Sequence, residues 1–183
     1  MEDKVLDSSV IEGKDLKYAG LYVEFDTQKH PVIQARTGIS LVSIANASEN
    51  LKEEISNEFD WNFDAIVQNQ KQAWNNILGR VQITTNDRLE KVRFYTNVYR
   101  AFCRNIWSDV NGEWMSADKK VQKLKNPEHR ALGCDAFWNT FWNLNQVWNL
   151  LTPEWSSRWV NSQLALYDTN GWLAKGPAGM KYI

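Results

Sequence analysis

Asp135-Ala-Phe-Trp-Asn-Thr-Phe-Trp-Asn-Leu-Asn-Gln-Val-Trp-Asn-Leu-Leu-Thr-Pro-Glu-Trp155 holds four of the chain's ten tryptophans and five asparagine or glutamine side chains. Three roles compete for so much indole set among amides: core packing, a membrane face, or the wall of a pocket for something flat and polar. Helical spacing sorts the residues into two stripes. Phe137, Phe141, Leu144, Trp148 and Leu151 form one, which the apolar moment assigns to a core. Trp138, Trp142, Asn145 and Asn149 form its neighbour. Asparagine costs a helix about half a kilocalorie or more relative to alanine, so several in one helix call for a return. A sugar offers one: its C–H face stacks on indole, and its hydroxyls donate to and accept from amides. The competing reading has the amides bonding to backbone inside a helical bundle.

The membrane role fails on the sequence. No apolar run approaches the about 20 residues that span a bilayer, and basic flanks are missing. The start, MEDKVLDSSV, lacks the charged and apolar regions of a signal peptide. With 183 residues, 43% hydrophobic and 23% charged, the chain fits an ordinary folded domain. A net charge of −1 excludes the basic footprint of a nucleic-acid binder. Lys119, Lys120, Lys123 and Lys125 read as a solvated face. His30 and His129 stand too far apart for a metal pair, and Cys103 and Cys134 read as two buried thiols, with a disulfide between them as the alternative.

Outward from the quoted stretch, the period changes along the chain. Residues 21–25, 32–36 and 38–44 predict strands, with turn residues between them. Two or three strands are too few for an independent sheet. Asn46 and Glu49 suggest a capping box opening a helix to about Ile55. Phe63, Ile66, Val67, Gln70, Trp74, Ile77 and Leu78 predict an amphipathic helix ended by Gly79. Leu89, Val92, Tyr95, Tyr99, Phe102 and Ile106 predict another. Residues 107–133 look irregular, with a turn at Asn111-Gly112. Thr152-Pro153 starts the last helix, which runs to about Asp168.

The segments GISLVSIANASENLKEEI, FDAIVQNQKQAWNNILGRV, RFYTNVYRAF, SDVNGEW, AFWNTFW, LLTPEWSSRWVNSQLALY and GWLAKGPAG resemble, in order and spacing, glycoside hydrolase family 92, the calcium-dependent exo-acting α-mannosidases. That resemblance implies a mainly α fold. Short N-terminal strands in residues 1–45 would end a β-sandwich, residues 46–85 would be linker helices, and residues 86–183 would begin an (α/α)6 toroid. It also implies a fragment of an inverting enzyme, of α-1,2 type, that removes terminal mannose from glycans in the periplasm or outside the cell. The remainder of the parent enzyme would be its partner, with no nucleic acid and no membrane involved. Calcium would belong to the full-length enzyme, with none expected on this fragment. The acid, the base and most calcium ligands lie later in such barrels, so no catalytic residue is assigned; Glu113, Asp135 and Asp168 read as structural. For substrate binding the resemblance points to Trp138, Asn139 and Trp142, and to Trp172 and Lys175 in a glycine-rich loop at the pocket mouth. Asn139 stands where the family carries an aspartate, and Trp142 where it carries an arginine, so this turn brings no charge to the sugar. A stand-alone, non-catalytic helical module that binds carbohydrate or a partner is the alternative.

Overall fold

The computed structural model describes residues 22–29, 31–133, 137 and 140–173. The chain divides into two units, residues 1–35 and residues 36–183. In the first, the described residues form no regular element apart from a turn at 27–29, where the Asp26 carboxylate accepts from the Gln28 N–H.

The strands predicted for 21–25, 32–36 and 38–44 are absent among the described residues, which are irregular there, bend at 41–42 and enter a helix at Ile44. An extended segment becomes a strand only by bonding to a neighbour. Here Tyr22, Val23, Phe25, Val32 and Ile39 instead stand exposed.

In the second unit, helix α1 (Ile44–Leu51) begins two residues before the predicted capping box. Ser43 caps it, its Oγ accepting from the Asn46 N–H at 3.0 Å. Asn46 therefore lies inside the helix, its amide oxygen accepting from the Ser43 hydroxyl and its amide nitrogen left for tertiary bonds. A π-helical turn (Lys52–Ser56) leads into α2 (Asn57–Phe59). Asp60 then takes φ +45, a conformation costly for a residue with a Cβ. The Arg36 guanidinium holds this turn, bonding the Asp60 carbonyl at 3.2 Å and lying 3.7 Å over the Trp61 ring.

Helix α3 (Phe63–Leu78) is capped by Asn62, and α4 (Arg88–Phe102) by Asp87, whose carboxylate accepts from the Leu89 and Glu90 N–H groups. Residues 107–133 are more ordered than their sequence suggests. They hold an antiparallel hairpin of β1 (Glu113–Met115) and β2 (Val121–Lys123), with Trp114 opposite Gln122. Gly112 opens it at φ +82, and a Cβ there would sit 2.9 Å from the Pro127 ring. A 3₁₀ turn (Pro127–His129) follows, then a bridge between Ile106 and Leu132.

The tryptophan-rich stretch is helical but not uniformly α. Thr140–Leu144 is π-helical, and α5 (Asn145–Leu151) and α6 (Pro153–Asn170) follow. Thr152 holds the cap position of α6, yet its hydroxyl turns back to the Trp148 carbonyl and caps nothing. Gly171, at φ +74, ends α6.

Two apolar clusters form the core. Phe102, Leu132, Leu144, Trp148 and Trp159 make the first, and Trp107, Trp114, Leu124, Ala131 and Leu166 the second. Trp148 is fully enclosed and donates its N–H to the Ala101 carbonyl at 3.1 Å. Trp155 and Trp159 lie 6.1 and 6.2 Å from it, ring centre to ring centre. Cys103 is exposed, contrary to the buried thiol expected; Cys134 lies outside the described residues.

Candidate functional site

Of the five residues assigned to a sugar pocket, Trp142 and Trp172 fall in the described structure; Trp138, Asn139 and Lys175 lie outside it. Trp142 sits on the π-helical turn at 66% exposure, and Trp172 just beyond Gly171 at 54%. Trp148, six residues after Trp142 on the same stretch, is enclosed. The two indole populations thus serve different sides: Trp148 and Trp155 pack the core, while Trp142 faces out beside exposed Asn143 and Asn149.

The predicted core stripe needs one correction. Phe141 is 70% exposed, and Thr140, at 1%, takes its place inward. A π turn holds an extra residue, so a count made at 3.6 residues per turn arrives one position out of phase.

Acidic groups are tied up structurally. Asp109 is buried and accepts from the Ser40 hydroxyl at 2.7 Å, the Asn46 amide at 2.9 Å and the Asn50 amide at 2.8 Å. The same Asn46 nitrogen donates to Glu113 at 2.8 Å. Asn50 also accepts from the Val110 N–H. One amide nitrogen bridges the two carboxylates, so those oxygens lie closer than the about 6.5–9.5 Å that an inverting pair keeps for its water. That amide donor also fills the space where a cation would sit. No group of three or more His, Cys, Asp or Glu side chains converges among the described residues, so the calcium implied by the resemblance finds no fitting donor set there.

A cavity of about 660 Å³ lies elsewhere, between the β1–β2 hairpin, the segment after it and the second half of α6. Trp114, Gln122, Asn126, His129, Asn161 and Asp168 are among its walls, and neither Trp142 nor Trp172 is. Lys125 pairs with Asp168 at 3.0 Å, and Lys120 with Asp118 at 2.8 Å. The bond from Lys120 holds the Asp118 carboxyl below its ordinary range, and Asp118 raises Lys120 in turn. The four lysines do form a solvated face, as expected, and three of them rim this cavity. Nothing in the sequence announced it: its walls come from segments some forty residues apart, as the Lys125–Asp168 pair shows.

The glycosyl hydrolase family 92 catalytic domain matches residues 46–183. The chain belongs to glycoside hydrolase family 92. Among solved structures, this family 92 chain is similar to the family GH92 α-mannosidase BT3965 from Bacteroides thetaiotaomicron, at 28% identity and a TM-score of 0.67, over 76% of this chain and 19% of that one. The same enzyme in complex with mannoimidazole matches at equal identity and TM-score, over 18% of its chain. The GH92 hydrolase ccman5 shares the fold at 23% identity and a TM-score of 0.58, over 79% of this chain and 20% of that one. This family 92 chain thus spans about a fifth of the length of these solved relatives. No curated protein sequence matches it. The fold class is mainly α, as the family match leads one to expect.

Proposed function

We propose that the chain is a segment of an exo-acting, inverting α-mannosidase of α-1,2 type, which removes terminal mannose from glycans in the periplasm or outside the cell. The observation that carries this reading is the family match across residues 46–183, together with an outward Trp142 on a π-helical turn. Single π turns within α-helices recur at functional sites. In this reading Trp138, Asn139 and Trp142 form part of the pocket wall, and Trp172 and Lys175 its mouth. Indole gives the sugar's C–H face a flat apolar partner, and the amide of Asn139 bonds a hydroxyl without bringing charge. The remainder of the parent enzyme supplies the general acid, the general base and the calcium, and is this segment's natural partner.

Mannose titrated against tryptophan fluorescence tests the wall. The parent chain should show a saturable change, and Trp142→Ala and Trp138→Ala should each remove part of it. Curves identical to the parent's would take both indoles out of the pocket. Incubation of the 183-residue chain with α-1,2-mannobiose, with and without calcium, should release no mannose. Release would mean that the acid and base stand within this segment.

A further inference from the structure

We propose that the cavity between the β1–β2 hairpin and α6 is a second carbohydrate site, taking a neutral, polyhydroxylated ligand of one or two sugar residues. It does not rest on the pocket-wall reading, because neither Trp142 nor Trp172, the described residues assigned to that wall, borders it. Its size, about 660 Å³, falls in the range of small-molecule sites.

The chemistry of its walls selects the ligand. Gln122, Asn126 and Asn161 each present an amide to the cavity, Asn126 while its oxygen also accepts from the Glu128 N–H, and amides both donate and accept, as a sugar hydroxyl does. The Asn161 amide lies 2.8 Å from Nδ1 of His129, a contact that holds the imidazole in place on the cavity wall. Leu124, Leu164 and Ala165 supply apolar surface for the C–H face of a ring.

The two carboxylates of the wall are already paired, Asp118 with Lys120 and Asp168 with Lys125, and Lys123 adds one positive charge in excess. The polar contacts left to a ligand are therefore mainly those of the amides. Trp114, buried at 2% against Trp107, keeps the hairpin side of the cavity rigid while β2 presents Gln122 opposite it.

Isothermal titration of the chain with methyl α-mannoside and with α-1,2-mannobiose tests the site, using Trp142→Ala as the background that silences the proposed pocket wall. Binding should persist in Trp142→Ala. It should weaken about tenfold or more when Asn161→Leu is added, since one donor–acceptor group is lost and His129 loses its orientation. Asn161 is exposed on α6, so its replacement leaves the core untouched. Ala165→Phe, which fills the cavity, should abolish binding, with Asn161→Leu standing as the test if that variant fails to fold. Binding that disappears in Trp142→Ala alone and ignores Asn161→Leu would overturn the proposal and leave the pocket wall standing. No binding of either sugar in the background variant would overturn it as well. Tighter binding of mannose 6-phosphate than of the neutral sugars would overturn the ligand class. The pocket-wall reading stands or falls separately, on the difference between parent and Trp142→Ala.

Discussion

Asp109 shows how much one side chain can organise. Its carboxylate receives three side-chain donors from Ser40, Asn46 and Asn50, and makes no salt bridge among the described residues. A buried acceptor with three donors is held by hydrogen bonds alone, and removing it strands all three. Asp109→Ala should therefore lower unfolding stability by about 2–3 kcal/mol in urea titration, while Asp109→Asn, which keeps one acceptor oxygen, should cost about 1 kcal/mol. Equal losses would mean that the cavity, not the stranded donors, sets the cost. None of this was legible beforehand. Asn46 looked like a helix cap and Asp109 like a turn residue, because each was judged by its sequence neighbours. The bond between them crosses 63 positions. Trp148 was legible, since a large apolar residue in a helical stripe needs no distant information to be placed inside. Trp138, Asn139 and Lys175 fall outside the described residues, so the sugar wall keeps only Trp142 and Trp172 as positions with a known environment.

At the scale of elements, the helices were legible from their period, and the deviations trace to local geometry that no period reports. The π turn at Thr140–Leu144 moves Phe141 out and Thr140 in. Phe141→Ser should then change stability by less than about 0.5 kcal/mol, as surface substitutions do. Leu144→Ala should cost about 2–4 kcal/mol. Thermal or urea unfolding of the two variants checks the register, and a large loss from Phe141→Ser would restore the uninterrupted α count. A second tie between elements lies at the α5–α6 corner. Arg80, just past α3, donates to the Leu151 carbonyl at 2.9 Å and to Glu154 at 2.6 Å. Burial raises the Glu154 carboxyl, but the backbone N–H at the helix start and Arg80 outweigh it, so the net shift is downward. A carboxyl lowered by folding stabilises above its unfolded pKa, and that contribution is lost as pH falls through the folded value. Glu154→Gln should reduce stability at neutral pH by the about 0.2–1 kcal/mol typical of an exposed pair, and by nothing once the carboxyl is protonated. Melting curves at several pH values read this directly; a deficit unchanged in acid would assign the loss to packing.

For the whole molecule, the apolar faces outnumber the partners the chain supplies. Leu89, Val92 and Tyr99 on α4, Leu150 on α5, and Val160, Leu164 and Tyr167 on α6 are all exposed, as are Val32, Ile33, Ile39 and Leu41 before α1. Several of these sit where helical or strand periodicity predicted a buried side. The pattern was legible as amphipathic, but a pattern names a face and not what covers it. A helix in a toroid is covered by its neighbours, and a strand pattern becomes a sheet only when other strands pair with it. Contiguous exposed apolar surface of this kind drives association. The chain should therefore self-associate as its concentration rises, giving sedimentation coefficients that climb without settling at one stoichiometry. Val160→Glu with Leu89→Glu should shift it toward monomer while leaving the urea midpoint nearly unchanged, because neither side chain belongs to the two buried clusters. A stand-alone binding module would behave otherwise. It would sediment as a monomer or a fixed dimer at every concentration, and that result would mean these faces need no further part of a barrel to cover them.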